Sequence, residues 1–149
     1  MIALYIAAGL LAGTATGGSD IETPAERTIR FNRAGGFFSS AQQIDPADVV
    51  DFLIDLRPML HEGEQFASIN LAVTATSSLL GFEILDSGQF APVTLQNGLI
   101  RVWATVSPAS RPSPIWAAAR AGQFVVSAVT NSTPPRTWQR TAQIAVAPK

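Results

Sequence analysis

The chain has few of the side chains that carry out chemistry. None of its 149 residues is cysteine, so disulfides, thiolate catalysis and cysteine-ligated zinc are all excluded. His61 is the only histidine, which rules out any site that needs two imidazoles and leaves a serine triad with one candidate base. It lies in the polar link MLHEGEQ, where we expect a solvated side chain. We therefore expect no catalytic residue, no metal site and no cofactor.

Charge is scarce as well. Charged residues make up 14% of the chain, against about 25% in an average soluble domain. The chain has 10 Lys plus Arg and 11 Asp plus Glu, so no broad positive field is available to hold a phosphate backbone. We therefore expect no nucleic-acid partner. With hydrophobic residues at 47%, we expect much of the surface to contact other protein.

The N-terminus carries an apolar run from Ile2 to Leu11. It lacks the basic start of a secretion signal, and it is shorter than the ~20 apolar residues that a membrane-spanning helix needs. We expect no membrane partner. We expect the run to be retained and ordered, with its alternating Ile2, Leu4 and Ile6 covered by the chain's own domain or by a neighbouring subunit.

The sequence divides into an N-terminal arm, residues 1–43, and a compact domain, residues 44–149. The arm contains the glycine-rich stretches AGTATGGSD and NRAGGFFSSAQQ, which break regular structure. Between them lies one alternating piece, RTIRF, which predicts a short strand. The length of the chain is that of one domain with an extension.

Period-two alternation dominates the compact domain and predicts strands with one buried face. Asn97-Gly98, between two β-rich runs, predicts a hairpin with a type I′ turn. The segment IWAAARAG is the only plausible helical turn. The residues predicted to face inward recur at every second position and are apolar except for Arg140, which would need a carboxylate partner or a position on an edge strand: Val50, Phe52, Ile54, Leu56, Ile69, Leu71, Val73, Ile100, Val102, Ala104, Val106, Trp138, Arg140, Ala142, Ile144 and Val146. About seven short strands spaced near ten residues apart predict an all-β, antiparallel sandwich.

The stretch IDPADVVDFLIDL concentrates four aspartates: Asp45, Asp48, Asp51 and Asp55. On a strand, Asp51 and Asp55 share a face but lie roughly 13 Å apart, too far to hold one metal ion or share one proton. Asp45 precedes Pro46, which is typical of a turn, and no glycine is present for a calcium loop. We interpret the aspartates as a turn and the outward face of a strand, facing either water or a basic patch on a neighbouring subunit.

The same stretch resembles the opening DPDEVLDYxIDW of small immunoglobulin-like bacteriophage proteins, labelled phage fibre-tail adaptor proteins. The segment LHEGEQFASINLAVTA is similar to a following LxxGDxI element of that family, with Gly63-Glu64 in place of Gly-Asp. PPRTWQRTAQIAVA is similar to its RTxxRxxxIxV ending. The resemblance covers residues 44–147. It implies an immunoglobulin-like sandwich and a virion structural protein without enzymatic activity.

The leading hypothesis is an accessory module of a tailed phage virion, either a fibre-tail adaptor or a capsid decoration (cement) protein. Its partners would be capsid, tail or fibre subunits, and itself in a symmetric assembly. The alternative is a carbohydrate-binding or host-recognition module, which needs a flat platform from Trp103, Trp116 and Trp138. A small hydrolase would need His61 or the aspartates. The residues expected to contact partners are Ile2, Leu4, Ile6, Ile29, Phe31, Phe37, Phe38, Trp103 and Trp116.

Overall fold

The structure, a computed structural model, describes residues 3–6 and 23–149. Within these ranges the chain forms ten β-strands and one short α-helix. The strands are β1 Ala3–Ile6, β2 Thr28–Arg30, β3 Phe37–Ser39, β4 Val50–Asp55, β5 Phe66–Val73, β6 Phe82–Ile84, β7 Val93–Gln96, β8 Leu99–Val106, β9 Arg120–Thr130 and β10 Thr137–Val146. The helix, α1, is Ala75–Leu79, and 3-10 turns lie at Ala25–Arg27, Arg57–Met59, Gly88–Phe90 and Pro114–Ala117.

The strands form two sheets. The first has the order β1-β5-β9-β10-β3, and the second has the order β2-β4-β8-β6, with β7 also paired to β8. The antiparallel triplets β5-β9-β10 and β4-β8-β6 correspond to strands C-F-G and B-E-D of an immunoglobulin sandwich. The predicted immunoglobulin-like all-β sandwich is confirmed. The count exceeds seven because short strands extend the edges of both sheets.

The core lies between the sheets and is built from the positions that the alternation predicted. Phe52 and Ile54 of β4, Val102 of β8 and Ile144 of β10 are fully buried. Val50, Trp138 and Arg140 are the exceptions among the predicted inward residues, since each is only partly buried. Burying one such side chain contributes roughly 1.5–3 kcal/mol, so these positions dominate the stability of the fold.

The described part of the arm belongs to the sandwich, which differs from the division at residue 43. Strand β2 pairs in parallel with β4, and β3 pairs in parallel with β10. Ile29 and Phe31 are fully buried in the common core, and the Phe31 N–H donates to the Asp55 carbonyl at 2.9 Å. The alternating apolar residues of RTIRF thus fill the core. The remaining arm residues, 1–2 and 7–22, lie outside the described ranges.

Two turn predictions need correction. The Asn97-Gly98 hairpin joins β7 to β8, but only Gly98 has positive φ, at 88°, so the turn is not type I′, which needs positive φ at both positions. The Asn97 amide instead accepts from the Phe66 N–H at 2.8 Å and donates to its carbonyl at 3.2 Å. IWAAARAG contributes a 3-10 turn, and α1 was not predicted.

No helix among the described residues is long and apolar enough to cross a membrane.

Candidate interaction surfaces

Asp51 projects from the side of β4 opposite the core, as predicted, but it is only 4% exposed. The segment preceding β2 covers it. Arg27 Nη2 lies 3.2 Å from Oδ1, and Arg101 Nε lies 3.6 Å from Oδ2. The Thr23 hydroxyl donates to Oδ2 as well. The basic partners of this carboxylate therefore come from the chain itself, one from the arm and one from the neighbouring strand β8.

Asp55 is held in the same way and is 2% exposed. Arg57 donates to it through Nε at 2.9 Å and Nη2 at 3.1 Å, and Arg30 donates through Nε at 3.3 Å. Burial raises the pKa of Asp55, but hydrogen bonds from the Arg57 side chain and backbone, its charge, and Arg30 outweigh that effect and hold the pKa below its usual range. The two guanidiniums hold the Asp55 carboxylate in its charged form, and the ion pair with Arg30 attaches strand β2 of the arm to β4.

The other two aspartates close a turn. Asp45 Oδ1 accepts from the Ala47 N–H at 2.9 Å, as an Asx turn requires, and Asp48 Oδ2 accepts from Lys149 Nζ at 2.8 Å. The hydrogen bond to Lys149 lowers the pKa of Asp48 despite partial burial. Among the residues that the structure describes, no group of three or more histidines or carboxylates could hold a metal ion.

One open groove of about 390 Å³ lies beside this turn. Prolines, including Pro46, and Trp116 make up half of its lining residues, and its charged lining residues are Asp45 and Arg111. Arg111 already donates to the Val106 carbonyl at 3.0 Å. The groove contains neither a histidine nor a second carboxylate, so it offers no acid–base pair.

Several residues expected to contact partners are buried within the chain. Ile29 and Phe31 have no exposed surface, and Trp116 is 2% exposed. Phe38 is half-buried, and its ring centroid lies 5.1 Å from that of Phe31. Ile29 and Phe31 fill the core and offer no surface to a partner in the folded state, and Trp116 offers almost none. This corrects the interpretation of Ile29, Phe31 and Trp116 as surface residues.

The remaining predicted contact residues have different positions. Phe37 is 65% exposed on edge strand β3. Trp103 is half-buried, and its ring packs edge-to-face against Phe90 at 5.3 Å between centroids. Leu4 and Ile6 lie in β1, of which only the backbone is described, and Ile2 lies outside the described residues.

The three tryptophans do not form the flat platform that a glycan-binding module needs. Trp116 belongs to the core, and Trp138 of β10 packs against that core. Arg140, next to Trp138 on the inward side of β10, lies 5.2 Å from the centre of that ring. Its guanidinium donates to carbonyls before β3, including that of Arg33 at 2.7 Å, which explains how a charge is accommodated on this side of the strand.

Strand β1 forms one edge of the first sheet. It pairs antiparallel with β5, from Ala3 opposite Ala72 to Ile6 opposite Ile69. Main-chain pairing at a sheet edge is the means by which extended peptides add to a protein surface. The N-terminal strand is therefore an element that binds a sheet edge through its backbone.

The outward face of the first sheet carries no charged side chain in its central part. Pairing of β5, β9, β10 and β3 places amide, hydroxyl and small apolar side chains side by side, and each is half-buried or exposed. We call this surface the uncharged face. Its residues are Asn70, Ala72, Gln123, Val125, Ser127, Val129, Gln139, Thr141, Gln143 and Phe37.

The second sheet has the opposite character. Its outward side carries Asp51 and Asp55 on β4, Arg101 on β8 and Arg30 on β2, and the segment before β2 covers part of it. The outward side of the second sheet thus carries charges that the central part of the first sheet lacks. The uncharged face could not be predicted from the sequence. Alternation within a strand shows which side of that strand is polar, but only the pairing of the strands shows that the polar sides of four strands adjoin.

Comparisons with protein-family models, with curated proteins and with solved structures find no similar protein.

Proposed function

We propose that the chain is a non-enzymatic structural protein of a tailed bacteriophage virion, an accessory module that docks on capsid or tail subunits. The observation that carries the proposal is β1, which is added to the edge of β5 by main-chain pairing over Ala3–Ile6. Residues 7–22 separate it from the rest of the described chain. Fully extended, they span at most roughly 55 Å, which is enough to reach a neighbouring subunit.

In a virion, the same strand would pair with an exposed sheet edge of a capsid, tail or fibre subunit. Backbone hydrogen bonds supply affinity in this mode, and alternate side chains supply specificity. Two further features support the proposal. The motifs of β4 and β10 resemble those of the phage adaptor proteins, and the charged share of 14% suits a surface that is mostly in contact with protein.

Deletion of residues 1–22 tests this role. The core residues within the described ranges lie between Ile29 and Ala147, so we expect the truncated protein to remain folded, with an unfolding free energy close to that of the full chain. It should nevertheless be lost from purified particles, measured by quantitative mass spectrometry of virions assembled with either form. Equal incorporation of the folded truncated protein would refute the docking role of β1.

The same measurement separates the two variants of the proposal. A fibre-tail adaptor is present in a few copies at one vertex, whereas a decoration protein is present in many copies over the whole shell. The number of chains per particle, counted against the major capsid subunit as an internal standard, therefore decides between them.

A further inference from the structure

We propose that the uncharged face is a self-association surface, on which two copies of the chain pack their first sheets against each other. This inference concerns the free protein and does not depend on the virion role. Val125 lies at the centre of the face, between Ala72 on β5 and Thr141 on β10. Phe37 pairs with Thr141 and extends the face to the sheet edge.

The absence of charge on the uncharged face indicates which kind of partner binds there. A partner with complementary charge would find no counterpart here, although the chain carries 21 charged residues, 10 basic and 11 acidic. In a two-fold dimer, residues near the symmetry axis approach their own copies, so a charged group there would meet a like charge. A face with none avoids that repulsion. A second copy is therefore the partner that this surface fits best.

The side chains are also complementary to themselves. Glutamine and asparagine amides and the hydroxyls of serine and threonine are donors and acceptors at once, so each can pair with its own symmetry mate. Gln123 already donates to Gln143 across the strands, at 3.5 Å, which shows that neighbouring amides on the face pair with each other. Val125 and Val129, both half-buried, supply the apolar contacts.

The size of the face predicts a weak dimer. Four strands about 4.8 Å apart and five residues long cover roughly 19 Å by 17 Å. A standard interface buries about 800 Å² on each partner, and this face is smaller. We expect a dimer that dissociates on dilution, with two sheets packed face to face at about 10 Å.

Sedimentation velocity of the full chain, from about 1 µM to 1 mM, tests the inference. The expected result is a monomer at the lowest concentration and a growing dimer fraction above it, with little dependence on sodium chloride because no ion pair is involved. A monomer over the whole range would overturn the proposal. So would a dimer that dissociates when salt is raised.

Charge substitutions locate the interface. Val125→Lys places two ammonium groups opposite each other and should raise the dissociation constant roughly tenfold or more. Val93→Lys is the matched control, because Val93 is 44% exposed on β7 of the other sheet, and it should leave the constant unchanged. Equal effects of the two variants would overturn the assignment to the first sheet.

A second variant separates folding from association. Phe37→Lys changes a side chain that is 65% exposed, so it should keep the unfolding free energy and still weaken the dimer. If the wild type is monomeric while Val125→Lys is excluded from particles, the face serves another virion protein, and the second copy is the wrong occupant.

Discussion

The four aspartates show how far the role of a residue depends on what covers it. Asp51 and Asp55 are on the outward side of β4, where alternation placed them, yet both are buried by arginines of the same chain. Each carboxylate connects β4 to a segment that is distant in sequence, and we expect both to stabilise the fold.

Asp51→Ala should destabilise the protein by ~3 kcal/mol, because it removes the carboxylate that the largely buried Arg27 and Arg101 both contact. The measurement is the free energy of unfolding in urea. Asp48→Ala is the control: its partner Lys149 is 60% exposed, so solvent screens the pair and the loss should be much smaller. Equal losses in the two variants would contradict the structural role assigned to Asp51.

At the scale of the element, β9 is the central strand of the first sheet. Gly122 lies on its inward side, opposite Ile144 of β10. The Phe82 ring of β6 occupies the space that a side chain at this position would take. Close packing of an aromatic ring on bare backbone thus joins the two sheets at one end of the sandwich.

Gly122→Ala should cost about 1–3 kcal/mol, since its methyl group would overlap the Phe82 ring and force the sheets to adjust. Thermal and urea unfolding measure the loss, and the ring resonances of Phe82 in an NMR spectrum should shift. Gly35→Ala is the matched control, because a methyl group there meets nothing within 4 Å. Unchanged stability in Gly122→Ala would show that β9 and β6 separate readily.

Alternation predicted strands β4, β5, β8 and β10 and their buried sides, because one face of each must meet the core. It could not predict that Ile29 and Phe31 fill the same core, since two apolar residues in a short piece do not distinguish a docked strand from an exposed one. The parallel pairing of β2 and β3, and the arginines over Asp51, depend on contacts between distant segments. Local pattern carries no information about those contacts.

For the whole molecule, the decisive observation is that the described arm residues and the sandwich share one core. Phe31 has no exposed surface and contacts Phe38, which packs on the same core. Residues 23–43 should therefore unfold together with the sandwich, in one cooperative transition. If residue 43 were a domain boundary, substitutions before it would leave the free energy of unfolding of the sandwich unchanged.

Phe31→Ala should lower the free energy of unfolding by about 3–5 kcal/mol, and a single transition should shift when followed by both tryptophan fluorescence and circular dichroism. Phe37→Ala is the control, with the same deletion at a side chain that is 65% exposed, measured at low concentration so that association does not contribute. Two separate transitions, or no shift for Phe31→Ala, would show that the arm folds independently.

The parallel pairing of β3 with β10 has a consequence for biosynthesis. Strand β3, Phe37–Ser39, leaves the ribosome well before its hydrogen-bonded neighbour, Thr137–Val146, has been made. Strand β9 also gains one of its two neighbours only then. A nascent chain must therefore hold the open side of its first sheet, with its apolar residues, until β10 has been made, and the sandwich cannot close before that stage of synthesis.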